Sequence, residues 1–312
     1  MGGAHQHLHA DGDGRHGTHQ APRVHADNER RVGFATLLTG AFMLAEVAGG
    51  LISGSLALLA DAGHMLADFG ALALAWFAFR LARRPADWRR TYGFDRFSVL
   101  VAFVNGLTLL VIAGLIVVEA IERLAAPRPV ASMLMLGVAA AGLVVNLAAF
   151  RLLSGADRRN LNIRGALAHV LGDTLGSIAA IAAAAIIIAT GWTPADPLLS
   201  LIVAAIIVRS GWAVTRDAAH ILLEGAPEGM SRDAIAADLV HSVDGLVAVQ
   251  HVHVWSITEA RPVVTLEAMV APAADHAAVK AAIKARLHDE HGIDHATVEI
   301  ETERAAPPAA CR

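Results

Sequence analysis

Cysteine is almost missing from this chain. The one thiol, Cys311, stands beside the C-terminal residue. With no CxxC pair, neither an internal disulfide nor a thiolate zinc site can be built. Charge is scarce too: Lys, Arg, Asp and Glu make up 17% of the 312 residues, against 55% hydrophobic residues and a mean hydropathy of +0.51. Soluble domains rarely reach that balance. Lysine occurs only at Lys280 and Lys284, and the net charge of −4 gives no reason to expect a nucleic-acid partner. HExxH, the signature of many zinc hydrolases, is absent, and so is the GxxxxGK[ST] loop of an ATP-driven pump. His-rich HxxxH or HxxH clusters of the diiron type do not flank the apolar stretches. The chain is therefore not expected to be an enzyme. Its polar, His-rich beginning does not have the composition of a secretory signal peptide.

Six apolar stretches are present, at about Val32–Ile52, Leu56–Phe79, Phe97–Val118, Met133–Leu153, Gly165–Thr190 and Pro197–Val214. Each approaches or exceeds the roughly 18 residues of a membrane span. Arginine is distributed unevenly between them. Arg80, Arg83, Arg84, Arg89, Arg90 and Arg96 follow the second stretch, and Arg158, Arg159 and Arg164 follow the fourth. The first and fifth connections carry no Lys or Arg. Positive charge stays on the cytoplasmic side, so an integral protein of the plasma (inner) membrane with both termini cytoplasmic is expected.

Beyond about Leu222 the pattern changes. Ser231–Ser242 and Ala277–His288 read as amphipathic helices, and Leu246–Ile257, Pro262–Val270 and Ala296–Glu301 as strands. The order αββαβ predicts a small helix-on-sheet domain. The fold class is thus a membrane all-α bundle of six transmembrane helices with a small cytoplasmic α+β domain. Four segments are expected: a disordered His-rich tail over 1–31, a transmembrane domain over 32–220, the α+β domain over 221–303, and a flexible tail over 304–312. The first tail holds His5, His7, His9, His16, His19 and His25 among Gly, Asp and Gln, with no apolar periodicity. Either zinc capture near the entrance or simple solvation suits it.

Two apolar stretches repeat one pattern. The second contains His64-Met65-Leu66-Ala67-Asp68 and the fifth His169-Val170-Leu171-Gly172-Asp173. A four-residue separation puts each His and Asp on one helix face. Ionisable groups in lipid are costly and normally face a bundle interior and a function. Two imidazoles and two carboxylates from two helices make the four-coordinate nitrogen–oxygen set that zinc prefers; magnesium and calcium want more oxygens, cuprous copper wants sulfur. The alternative is a hydrogen-bonded contact holding helices together, which is harder to sustain for a repeated pattern. Metal ligands must be deprotonated, so zinc and protons compete for these side chains, and histidine changes charge between about pH 5 and 8. One feature of the spacing is awkward. His64 falls roughly 12 Å from the outer end of its stretch and His169 about 6 Å from the inner end of its own, so the motifs meet only if the fifth helix starts earlier or tilts.

With these motifs the chain resembles the cation diffusion facilitators over most of its length. Supporting segments are Ser55-Leu56-Ala57-Leu58-Leu59-Ala60-Asp61, Leu222-Leu223-Glu224-Gly225-Ala226-Pro227, His253-Val254-Trp255-Ser256 and His295-Ala296-Thr297-Val298-Glu299-Ile300-Glu301. The resemblance implies a homodimeric antiporter that exports cytoplasmic zinc, in some members cadmium or cobalt, against protons. His64, Asp68, His169 and Asp173 would be its transport ligands, and the cytoplasmic domain would be metallochaperone-like. Zinc is then cargo, with a structural or regulatory zinc as a second role, and no other cofactor is expected. The family's cytoplasmic site is matched imperfectly: Gln250 stands where its first His would be, and Met269 where a second-strand His is expected. His251, His253 and His295, with His276, His288 and His291, could build another site or be ordinary surface residues.

Among other polar residues in the stretches, Asp61 could accept the ring N–H of His64 or be satisfied by a neighbouring helix. Glu46, Asn105 and Asn146 read as contacts between helices. Asp196 reads as the N-cap of the sixth helix, with Pro197 at its first position. A metal-selective channel or a sensor built on the same ligands is the alternative function. A channel needs sites that ions leave readily, and four strong ligands argue against one.

Overall fold

The computed structural model describes residues 21–53, 56–126 and 132–302, with side chains given except at 21–25, 46, 49–53, 56–64, 67 and 134. Six long helices come first: α1 (Ala21–Ser53), α2 (Leu56–Ala82), α3 (Asp95–Ala125), α4 (Ser132–Ser154), α5 (Leu161–Thr190) and α6 (Ala195–Leu222). Each extends past the apolar stretch that announced it. A helix satisfies its own backbone, so it continues into polar sequence wherever side chains find partners. Among the described residues, Asp95–Ala125, Met135–Ser154, Leu161–Thr190 and Ala195–Leu222 are long and apolar enough to cross a membrane.

The beginning of α1 departs from expectation. Helix starts at Ala21, inside the segment expected to be a loose tail over 1–31. The reason lies in its polar contacts. Asn28 is buried, and its side-chain oxygen accepts the Asp157 N–H. Glu29 pairs with Arg83 at 2.7 Å, and Arg31 bonds both Asp27 and the Leu152 carbonyl. Composition alone does not reveal these partners. Residues 1–20 and 303–312, which hold most of the two expected tails, lie outside the described residues.

Small residues let the helices approach. On α3, a Cβ added to Gly106 would come within 3.0 Å of the Thr215 backbone nitrogen and 3.3 Å of the Gly211 carbonyl on α6. That is the close crossing small residues permit where hydrophobicity alone drives no association. Helices α1, α2, α4 and α5 share a core that includes Val32, Leu72, Phe79, Leu153 and Ile163. At the start of α6 the expected cap is corrected. Pro194 occupies the cap position with no side-chain bond, and Asp196 sits in the first turn. Its carboxylate accepts from Arg123 Nη1 at 2.8 Å, because the end of α3 runs alongside and a charged donor outbids a backbone N–H.

The small α/β domain contains α7 (Arg232–Ser242), β1 (Leu246–Ser256), β2 (Pro262–Val270), α8 (His276–His291) and β3 (His295–Thr302). The sheet order is β1-β2-β3, with β1 and β2 antiparallel and β2 and β3 parallel. A parallel pair needs a crossover, which α8 supplies. Ile235, Leu239, Leu266, Ile283, Leu287 and Val298 form the core between helices and sheet. Ser231 precedes α7 as expected but makes no side-chain cap bond. The two helices are tied by Asp238, which accepts from Arg286 at 3.0 and 2.7 Å and lies 3.0 Å from His291 Nε2. The Arg286 hydrogen bonds, then that of His291, hold the Asp238 carboxyl well below the usual carboxylate range.

Candidate metal centre

The motif of the fifth helix is positioned by how that helix begins. Asn160 caps α5 in extended conformation, its side chain accepting the Asn162 and Ile163 N–H groups. Helix therefore starts at Leu161, four residues ahead of the apolar stretch. His169 stands eight residues inside the helix, or about 12 Å, instead of the roughly 6 Å inferred from hydropathy. The fifth helix does begin earlier, and the awkward depth difference is relieved by it.

Two side chains of α5 then meet one of α2. His169 Nε2 and Asp68 Oδ1 are 2.8 Å apart, and the same nitrogen lies 3.9 Å from Asp173 Oδ2. One ligand atom from each of Asp68, His169 and Asp173 lies within 4.8 Å of the others. Asp68 and His169 are 2% and 5% exposed, so water does little of the work of holding their charge. With the ring protonated at Nε2, that N–H donates to Asp68. The nitrogen holding this proton is the one a metal would need. Ligands bonded at about 2.1 Å around a tetrahedral ion sit roughly 3.4 Å apart. Zinc would require the Asp68–His169 contact to open and the His169–Asp173 separation to close, each by less than an ångström, with the two carboxylates drawn to the same spacing. His64 and Asp61 fall on the helical backbone of α2, with His64 one turn ahead of Asp68, but their side chains lie outside those described.

The surroundings fix this geometry. Gly172, inside the motif, is what lets α5 lie close to α6: a Cβ there would stand 3.1 Å from Ile207. Asn105 of α3 donates to the Ala71 carbonyl of α2 at 3.2 Å, the helix-to-helix role expected of it. With Ala71, Leu72, Gly165, Ala166 and Leu109 it lines a narrow gap beside His169 with no room for a water molecule. Nothing in a one-dimensional reading singled out Gly172. Its signal is the smallest residue standing beside a ligand candidate, where only a neighbouring helix explains the need.

The histidines of the α/β domain are not brought together in the same way. His251, 49% exposed, occupies a bulge of β1 with a left-handed φ of 49° and faces Glu267 at 3.8 Å. His295 starts β3 and meets the Tyr92 ring edge-on at 5.8 Å. Because β2 lies between β1 and β3, His251 and His253 are two strands, or about 10 Å, from His295. His288 and His291 pair with Asp294 and Asp238. Among the described residues, Asp68, His169 and Asp173 are the group disposed to share an ion.

Comparison with known proteins agrees with this emphasis on the helices. The cation efflux transmembrane domain matches residues 32–223. The chain is 46% identical over 287 residues to a zinc transporter, ZitB, of Pectobacterium atrosepticum, covering 92% of this chain and 89% of that protein. With the ZitB zinc transporter of Escherichia coli it shares 47% identity over 276 residues, 88% of each chain. With a cadmium, cobalt and zinc/H(+)-K(+) antiporter of Bacillus subtilis it shares 43% over 274 residues, 86% of each.

Proposed function

The chain belongs to the cation efflux family, the cation diffusion facilitators its motifs resemble, and from that premise we propose that it exports zinc in exchange for protons through a site made by His64, Asp68, His169 and Asp173. Membership makes it an integral-membrane transporter and not an enzyme. The observation that carries the finer reading is the convergence of Asp68, His169 and Asp173, from two helices, at a buried point. A carboxylate and an imidazole 2.8 Å apart share a proton readily. An ion arriving there must displace that proton, and a proton arriving must displace the ion. Exposed alternately to the two sides, such a site couples outward zinc to inward protons. The zinc and antiporter names of the relatives support the choice of cargo and counter-ion.

The architecture that goes with this is six spans, both termini and the α/β domain on the cytoplasmic side of the inner membrane, and a homodimer. Arginine after α2 and α4, and its absence after α1 and α5, support that orientation. Residues 32–220 then form the membrane domain and 221–303 the cytoplasmic one.

Zinc flux into proteoliposomes under an imposed pH gradient tests the reading, with Asp173→Ala as the comparison. Zinc that accumulates against its own gradient only while protons run the other way, and ceases to do so in the variant, is the expected result. Flux indifferent to the pH gradient would favour a channel. Undiminished flux in Asp173→Ala would move the site elsewhere.

A further inference from the structure

The turn joining β1 to β2 reaches the helical domain at two helix starts. Glu259 accepts the backbone N–H of Leu161, the first residue of α5. Arg261 pairs with Asp95, the first residue of α3, at 2.7 Å and lies over the Tyr92 ring, 5.6 Å from its centroid. The turn is braced by its own backbone, Ile257 N–H to the Arg261 carbonyl and Arg261 N–H to the Thr258 carbonyl.

The accounting at the start of α5 shows why the Glu259 contact matters. A helix begins with four N–H groups that have no partner within it. Three are provided for locally: the N–H of the cap residue Asn160 goes to the Asp157 carbonyl, and the Asn160 side chain takes Asn162 and Ile163. The fourth, on Leu161, is taken by a residue 98 positions away in another domain. Asp275 likewise takes the Ala277 and Ala278 N–H groups at the start of α8. Glu259 is half-buried, and burial pushes its carboxyl above the ordinary range while the Leu161 N–H pulls it back. The positive end of α5 offers further compensation for a carboxylate there. From Leu161 to His169 runs unbroken helix of about two turns, so a displacement of the end is carried to the ligands.

We propose that Glu259 is a positioning residue for transport: by holding the first N–H of α5 from the α/β domain, it sets where His169 and Asp173 stand relative to Asp68. The α/β domain thereby acts on the ion site through the β1–β2 turn. This rests on the transport reading given above. Asp95 and Arg261 hold the same turn on α3, so the two helices that flank the gap beside His169 are seated by one turn.

The test compares full-length protein with Glu259→Ala, Glu259→Gln and Arg261→Ala. Zinc flux under a fixed pH gradient is measured per folded molecule, alongside amide hydrogen exchange over Leu161–Ile163 and the thermal midpoint. Glu259→Ala should speed exchange at Leu161 and lower maximal flux about tenfold, a loss typical of residues that orient metal ligands. Glu259→Gln keeps an acceptor oxygen and should recover most of that flux. Arg261→Ala, which touches neither α5 nor a ligand, should cause a smaller loss. A cap that only stabilises would change exchange and the thermal midpoint and leave flux per folded molecule intact; that result overturns the proposal. If Glu259→Ala fails to fold, undiminished flux in Arg261→Ala overturns it instead. An unmodified protein that moves no zinc would sink the transport reading and this inference together, whereas an active unmodified protein with an equally active Glu259→Ala sinks the inference alone.

Discussion

The two domains use histidine in opposite ways. The α/β domain has many, including His251, His253, His288, His291 and His295, yet they are spread along strand edges and helix ends, and His251, His288, His291 and His295 each lie near a different carboxylate or ring. The helical domain has few, but His169 is 5% exposed and faces two carboxylates from two helices. Abundance reflects what a solvated surface tolerates. Convergence in a buried place is expensive and persists only where something compensates for it. A metal site is therefore to be sought where ligands are fewest and deepest.

The comparison is broken most directly at His169. Replacing it with Ala should lower proton-driven zinc flux by at least roughly 100-fold, since altering mere orienting partners already costs 10–100-fold. Flux assays on protein shown to be folded would check this, and near-normal flux would leave the buried trio a structural contact. Next in size, Gly106→Val forces a side chain into the α3–α6 crossing, where backbone atoms stand in the way. Overpacking of this kind should destabilise the helical domain by about 1–3 kcal/mol, read as unfolding in detergent, with the α/β domain unaffected.

Within the α/β domain, Asp238→Asn should lower the thermal midpoint at pH 7, because Asp238 joins α7 to α8 through Arg286 and His291. Its carboxyl is depressed in the folded state. The stabilisation is thus complete above the unfolded value near pH 3.9 and is lost as pH falls through the folded one. The gap between unmodified and variant midpoints should persist from pH 7 to about pH 4 and narrow only below it. A gap that closes already at pH 6 would contradict the assignment. Smallest of all, the double change His251→Ala and His253→Ala should leave maximal zinc flux within about twofold, as expected for exposed positions away from buried networks. A larger loss would show that these histidines gather around an ion after all, for instance across a subunit contact.

Much of this arrangement was legible in one dimension. The apolar runs marked six helices and the alternation of β-branched residues marked β1, β2 and β3. The repeated His-to-Asp spacing singled out His64, Asp68, His169 and Asp173, of which the last three lie close together and the side chain of His64 falls outside those described. The errors lie at ends and partners. Asp196 was read as a cap because Pro197 follows it, but Arg123 arrives from α3 and takes its carboxylate. Residues 21–31 were read as loose because they lack apolar periodicity, but Asn28, Glu29 and Arg31 find partners in the turn after α4, just past the end of α2 and on α4.

Sequence by itself determined which segments are helical or extended and which residues bear metal-ligand chemistry. Hydropathy, strand propensity and ligand type are properties of a residue and its near neighbours. Only the tertiary structure decided that α5 begins at Leu161, that His169 meets Asp68, and that Glu259 holds the end of the helix carrying His169 and Asp173. Partnership between residues about 100 positions apart depends on how whole helices pack, and that is summed over many small contacts that no local pattern records.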